Sequence, residues 1–268
     1  MIPVKAKSCA LLVFYAIAFV LLLAPMNLRG QEQKLRVATA ADLQFAMREL
    51  SGQFERNTGA QVDIITGSSG NFFAQIQSGA PFDLFFSADS EYPKKLEAEG
   101  FVETGTLTEY ALGRIVIWSP ASTGKNLDVA KMGWKTLLDA RTQKIAIANP
   151  AVAPYGRAAV SALQNAGIYD QVKTKLIYGE SISQAAQFAQ SGNAQAAIVA
   201  LSLALSPGMK DGRMWEIPVA LYPPITQSAV LLRSSKNKDA ARAFLDFVKS
   251  QQGRQILEKY GFGIPQRK

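Results

Sequence analysis

The stretch Leu35-Arg36-Val37-Ala38-Thr39-Ala40-Ala41-Asp42-Leu43-Gln44-Phe45-Ala46-Met47-Arg48-Glu49-Leu50 holds the unit from which the chain is built. Leu35 to Ala40 alternates, is poor in β-branched residues but apolar, and reads as a strand. It runs into Asp42, after which Leu43, Ala46, Met47, Leu50 and Phe54 recur at helical spacing as far as Gly59. The result is strand, short loop, amphipathic helix.

Downstream the unit recurs. Gln61 to Thr66 reads as a strand, Gly67-Ser68-Ser69-Gly70 as a loop, and Phe72, Phe73 and Ile76 as one face of a helix stopped at Gly79. Phe82 to Ser87 is a third strand, with Phe85 and Phe86 in its core, followed by a helix from Ser90 to Glu99 with Gly100 past its end. Tyr110 to Trp118 predicts one longer strand, and a new section follows it. That section predicts a helix over Trp134 to Asp139, a strand over Lys144 to Ala148, and a helix from the Pro150 to Gly156 loop to Gly167. A strand near Leu176, a helix over Ser181 to Gln190 and a strand over Gln195 to Leu201 complete it. Met214 to Val219 and Ser228 to Leu232 read as strands, and Ala241, Phe244, Leu245, Val248, Ile256, Leu257 and Tyr260 as one long final helix. Strands alternating with helices predict an α/β protein of mostly parallel sheets flanked by helices. The change of character near Gly113 and again near Pro223-Pro224 predicts a hinged two-lobed clamshell. Lobe one is expected to comprise residues 31–113 and 224–268, and lobe two residues 114–223, with a ligand cleft between them.

Composition narrows the chemistry. The chain has 268 residues, 48% apolar and 19% charged, enough for a full core. It contains no His and one Cys, Cys9, which removes Ser-His-Asp and Cys-His catalysis, Cys/His zinc sites and internal disulfides. Cys9 lies in a segment that reads as a secretory leader over residues 1–30: Lys5 and Lys7, then the apolar run Ala10 to Ala24, then Leu28-Arg29-Gly30. An uncleaved anchor is the alternative, although the run is short for a span of ~20 residues. Taking the three leader bases, Lys5, Lys7 and Arg29, from 29 leaves 26 against 21 acids, a net charge of +5. The bases are scattered with no basic stripe, so nucleic acid is not an expected partner.

Four strand-to-helix loops stand out: Ala40-Ala41-Asp42, Gly67 to Asn71, Ala153-Pro154-Tyr155-Gly156, and Glu180-Ser181-Ile182-Ser183-Gln184. Each opens a helix, with a capping residue or an N1-type proline, and Ser181 with Gln184 makes a capping box. Four helix N-termini converging on one cleft would supply roughly two positive charges without a Lys or Arg, which suits a small doubly charged oxyanion. Taken singly, each loop is also an ordinary cap or turn. Arg114 and Arg157 could pair with an anion but, as lone arginines on βα surfaces, read as solvated, and Tyr155 reads as a packing residue or one whose backbone amide is usable.

Val37-Ala38-Thr39-Ala40-Ala41-Asp42-Leu43, Gly67-Ser68-Ser69-Gly70, Ser78-Gly79-Ala80-Pro81-Phe82-Asp83-Leu84-Phe85-Phe86-Ser87-Ala88-Asp89, Asn149-Pro150 through Pro154-Tyr155-Gly156, and Lys259-Tyr260-Gly261-Phe262 together resemble one family. It is that of the periplasmic molybdate-binding proteins of ABC transporters, which are type II solute-binding proteins, and the resemblance covers nearly all of Leu35 to Phe262. It implies a tetrahedral oxyanion, molybdate or tungstate, held between the lobes by hydroxyls and backbone amides with no cation and no cofactor. It implies a binding protein rather than an enzyme, exported to the periplasm, a monomer, with a membrane permease as partner. Carried over by position, Asp42 stands where the family usually has serine, Ser69 meets the anion through hydroxyl and amide, and Tyr155 and Ile182 offer amides. Ala41 and Ser68 are further candidates. Ala200 falls where many members have a tyrosine whose hydroxyl reaches the ligand.

Asp42 and Ala200 are thus two departures. A carboxylate beside a dianion is repelled, so direct contact requires a shared proton, which phosphate can bring and molybdate or sulfate cannot. The simpler expectation is that the Asp42 carboxylate turns back to cap the N–H of Gln44 or Phe45. Another oxyanion such as phosphate or sulfate, or an oxyanion sensor module on the same clamshell, are the alternative functions.

Overall fold

A computed structural model describes residues 34–121 and 127–266. The leader expected over residues 1–30, Cys9 included, lies outside them. The opening unit forms where the sequence places it. Strand β1, Leu35–Ala40, passes through a 3-10 turn, Ala41–Leu43, into helix α1, Gln44–Thr58, which ends on Gly59 in the left-handed region at φ 75°. Then come β2 (Val62–Gly67), α2 (Ser69–Gln77), β3 (Leu84–Ser87), α3 (Glu91–Ala98), β4 (Thr108–Gly113) and β5 (Ile115–Ser119). They are followed by α4 (Val129–Met132), α5 (Lys135–Leu138), β6 (Ile145–Ala148), α6 (Pro154–Asn165), α7 (Tyr169–Val172), β7 (Leu176–Gly179), α8 (Ile182–Gln190) and β8 (Ala196–Ala200). Last are α9 (Leu201–Ala204), β9 (Arg213–Glu216), β10 (Ile225–Leu231), α10 (Lys238–Lys249) and α11 (Gln251–Lys259).

Two five-stranded sheets result, in the orders β2-β1-β3-β10-β4 and β7-β6-β8-β5-β9. They are mixed rather than mostly parallel. In the first, β1 runs parallel to β2 and β3, but β10 runs antiparallel to β3 and β4. In the second, β6 runs parallel to β7 and β8, but β5 runs antiparallel to β8 and β9. The antiparallel strands β5 and β10 directly follow the passages between the sheets. No α-helix intervenes there to carry the chain back to the starting end, as a parallel pairing requires, and before β10 there is only the 3-10 turn Val219–Leu221.

Two expected elements divide for local reasons. The single strand expected over Tyr110 to Trp118 is β4 in one sheet and β5 in the other, broken at Arg114. The single final helix is α10 and α11, broken at Ser250, whose hydroxyl accepts the Gly253 N–H at 3.2 Å and starts a new helix.

Helices cover both faces of each sheet. Under the first sheet Leu43, Met47, Leu50 and Phe54 pack with Phe244, Leu245 and Val248, the Phe54 and Phe244 rings meeting edge to face at 5.0 Å. On its other face Ala38, Phe72, Ile76, Phe85, Leu96 and Val230 form a second layer. The second lobe's core joins Ile115, Ile117, Ile145, Ile147, Leu163 and Ile198, and Ala40, Ala41 and Ala88 of the first lobe pack into it. Asp83 ties the first lobe together, accepting from the Arg36 amide at 2.8 Å and the Ser235 hydroxyl at 2.6 Å.

Candidate functional site

All four loops meet. A cavity of about 10 Å³, room for the centre of one water-sized group, is lined by Ala40, Ala41 and Asp42 from the first loop and Gly67, Ser68 and Ser69 from the second. Ala153, Pro154 and Tyr155 line it from the third, Ile182 from the fourth, and Ala88 from the end of β3. Among the described residues no Lys or Arg lines it. Three of these loops open the helices α2, α6 and α8, so their first-turn N–H groups lie at the cavity. Nor is any group of three carboxylate, His or Cys side chains among the described residues placed to hold a metal cation.

The local sequence explains each placement. Ser69, 1% exposed, has its hydroxyl oxygen accept the Ala88 N–H at 3.0 Å, which leaves the hydroxyl proton to be given elsewhere. Ser68 is buried with a hydroxyl that has no hydrogen-bond partner. Pro154 takes the N1 position of α6, where its missing N–H forfeits no bond, and places the Tyr155 amide one residue inside. Before α8 the Ser181 hydroxyl accepts the Gln184 N–H at 3.3 Å and the Gln184 side chain accepts the Glu180 N–H at 2.6 Å. That is the expected capping box with its return bond one residue further back, and it sets Ile182 at the first turn.

Asp42 departs from expectation. It caps neither Gln44 nor Phe45, and α1 starts with no side-chain cap. Instead the 3-10 turn directs the carboxylate inward, 1% exposed, where its Oδ2 accepts from Gln227 Nε2 at 2.5 Å. Burial raises its pKa from 3.8 to about 6, against the opposing pull of hydrogen bonds from Gln227 and Tyr155. Tyr155 also does more than offer an amide. Its ring passes to the first lobe, where the hydroxyl accepts from Gln227 Nε2 at 3.0 Å. Gln227 is held in turn by Tyr110, whose hydroxyl donates to its Oε1 at 2.7 Å. Burial pushes the Tyr110 and Tyr155 hydroxyls well above 10, so both stay neutral. Ala200, at the end of β8, is fully buried and is not among the residues lining the cavity.

The lobes are joined around the cavity. Gly70 N–H donates to the Val152 carbonyl at 2.9 Å, the Ser183 hydroxyl to the Ala41 carbonyl at 3.2 Å, and the Ser202 hydroxyl to the Asp42 carbonyl at 2.8 Å. Arg157, expected to be solvated, bridges from α6 to Asp89 at 2.5 Å and lies over the Tyr92 ring at 5.5 Å. Arg114 is the surface residue expected, paired with Glu216 at 3.0 Å with both side chains well exposed. Sequence reasoning missed Gln227, Tyr110 and Ser202, and it placed Ser183 in the fourth loop without assigning it a contact. Gln227 carried a signal, being the largest of three consecutive polar residues, Thr226-Gln227-Ser228, inside a buried strand.

The model of the family described as bacterial extracellular solute-binding protein matches residues 35–263. The molybdate-binding protein ModA of Azotobacter vinelandii is 39% identical over 236 residues, 88% of this chain and 92% of that protein. ModA of Rhodobacter capsulatus is 40% identical over 226 residues, 84% of this chain and 86% of the other. The solved structure of the Azotobacter vinelandii periplasmic molybdate-binding protein superposes with a TM-score of 0.81 at 35% identity, covering 87% of this chain and all of that one.

Proposed function

The chain belongs to the bacterial extracellular solute-binding proteins, and from that membership we propose that it captures molybdate between its lobes and delivers it to the permease of an ABC transporter. One observation carries the choice of ligand: the loops of two lobes meet around a space for a single compact group, with amide and hydroxyl donors and no Lys or Arg. Fixed dipoles of this kind match a small dianion, and they reject organic ligands by volume. Tungstate, with the same shape and charge, is bound comparably. Sulfate is smaller and phosphate carries protons, so a rigid site binds both more weakly.

In this reading Ser69 donates its hydroxyl and amide, and Tyr155, Ile182 and Asp42 contribute amides, with Ala41 and Ser68 completing the shell. No step is catalytic. Binding draws the lobes together because the donors lie on both, and the permease reads the closed form. The leader over residues 1–30 exports the chain to the periplasm, where it works as a monomer.

The test is elemental analysis of the exported protein after growth with trace molybdate and tungstate. Close to one molybdenum or tungsten per chain is expected. Protein that carries phosphorus or sulfur as a bound oxyanion, with neither metal, overturns the assignment.

A further inference from the structure

Apart from Asp42, the side chains lining the cavity are apolar or carry hydroxyls that can donate to an anion. An ionised carboxylate only accepts. Its surroundings fix which oxygen is available. Tyr110 donates to Gln227 Oε1 at 2.7 Å, its contact with the Ser87 carbonyl being longer at 3.2 Å, and the Gln227 amide turns its NH₂ to Asp42 Oδ2 and to the Tyr155 hydroxyl. Asp42 Oδ1 is left buried with no hydrogen-bond partner, in a residue that lines the cavity. Ionised, that oxygen would present a bare negative charge to a dianion. Protonated, it becomes a donor like every other polar group in the shell, and the orphaned atom acquires a partner. We infer that Asp42 holds the oxyanion as a neutral carboxylic acid, its Oδ1–H donating to one ligand oxygen, so that at neutral pH and above each captured ion brings close to one proton from solvent onto the protein. The inference rests on the oxyanion-binding reading above and deepens it: the ligand stays a fully deprotonated dianion, and the proton resides on the protein.

The groups facing Asp42 agree with this. Tyr155 on α6, whose hydroxyl also hydrogen-bonds the carboxyl, and Tyr110 on β4 are neutral, Gln227 on β10 carries no charge, the Ser202 hydroxyl on α9 meets the Asp42 carbonyl, and the remaining donors to the carboxyl are the neutral Asp42 and Leu43 N–H groups. Asp89, the other nearby carboxylate, is engaged by Arg157. Burial already brings the acid to about 6 without ligand. A dianion against it stabilises the protonated form and raises the value further. Below about 6 the proton is present beforehand and affinity is level. Above that, each ion must recruit a proton, and affinity falls by up to about tenfold per pH unit until the raised pKa is passed.

The experiment is calorimetric titration of the exported chain with sodium molybdate between pH 6 and 8.5, in buffers of differing ionisation enthalpy, beside Asp42→Asn and Asp42→Ser. Both variants offer a permanent donor. Wild type is expected to take up close to one proton per ion near pH 7.5, and the variants none. At pH 8 Asp42→Asn is expected to bind more tightly than wild type by up to about a hundredfold, the two converging toward pH 6. Asp42→Ser should share the flat pH profile should the Asn variant misfold. Tight wild-type binding with no proton uptake and a flat profile overturns the inference and leaves the molybdate reading intact. Loss of binding in both folded variants also overturns it, because an ionised carboxylate is then required. Failure of wild type and variants to bind molybdate at any pH overturns the molybdate reading and this inference together.

Discussion

Ser69→Ala separates a residue that holds the ligand from one that only holds a loop. Ser69 opens α2 at 1% exposure, and its oxygen accepts the Ala88 N–H at 3.0 Å. With the lone pair so used, the hydroxyl proton is available to an oxyanion in the cavity. Removing it deletes one hydrogen bond to a charged group, worth about 1.5 to 3 kcal/mol, or roughly 10- to 150-fold in Kd. The substitution also orphans the Ala88 N–H inside the protein, at about 1 to 3 kcal/mol of stability. At roughly 2 to 4 °C per kcal/mol for a chain of this size, Tm of the unliganded protein should fall by about 2 to 12 °C. Calorimetry with molybdate and a thermal melt without it read the two effects separately. A lowered Tm with unchanged Kd would refute the reasoning, because the hydroxyl would then serve only the Ala88 amide.

Gly113→Ala drives a Cβ into the Tyr155 hydroxyl and to 3.0 Å from Ile225 Cγ2, at the passage between lobes. Overpacking of about 1 to 3 kcal/mol should fall on the closed arrangement, weakening molybdate binding by roughly 5- to 150-fold and enlarging the radius of gyration in solution scattering at half-saturating ligand. Arg157→Ala removes the bridge to Asp89 and should speed ligand release several-fold in a displacement assay, with a difference that shrinks in 0.5 M salt. Asp83→Ala strips acceptors from the Arg36 amide and the Ser235 hydroxyl far from the cavity. It should lower stability to urea by about 2 to 5 kcal/mol while leaving molybdate affinity within about twofold.

Local periodicity carries most of the fold. Leu35–Ala40 is the strand its alternation predicts, and the helix closed by Gly59 ends where the glycine supplies a left-handed residue. Where periodicity fails, a tertiary contact intervenes. Gly113 marks the passage between lobes in the sequence, but Tyr110 to Trp118 still reads as one strand, because what crowds the Gly113 backbone is the hydroxyl of Tyr155, which belongs to a helix far along the chain. The division of the last helix is closer to legible, since Ser250 followed by Gln251-Gln252-Gly253 is a capping residue with a glycine in the turn that it opens. The convergence of the four loops can be posed from their shared strand-to-helix pattern but not established by it. For Asp42 the local rule, that Asp before a helix caps it, is outweighed by Gln227, 185 residues away, which offers an amide inside the protein. Arg157 escapes the sequence for the same reason: its partner Asp89 belongs to the other lobe.

The central claim is that a bare oxyanion is held between the lobes by the four loops. Anomalous diffraction at the molybdenum edge, from crystals of the exported chain grown with molybdate, tests it most directly. One strong peak is expected in the cavity, with ligand oxygens within hydrogen-bond distance of the Ser69 hydroxyl and of the Tyr155 and Ile182 amides. A saturably bound molybdate whose peak lies outside that cavity, or a cavity filled by another ion in its presence, would contradict it.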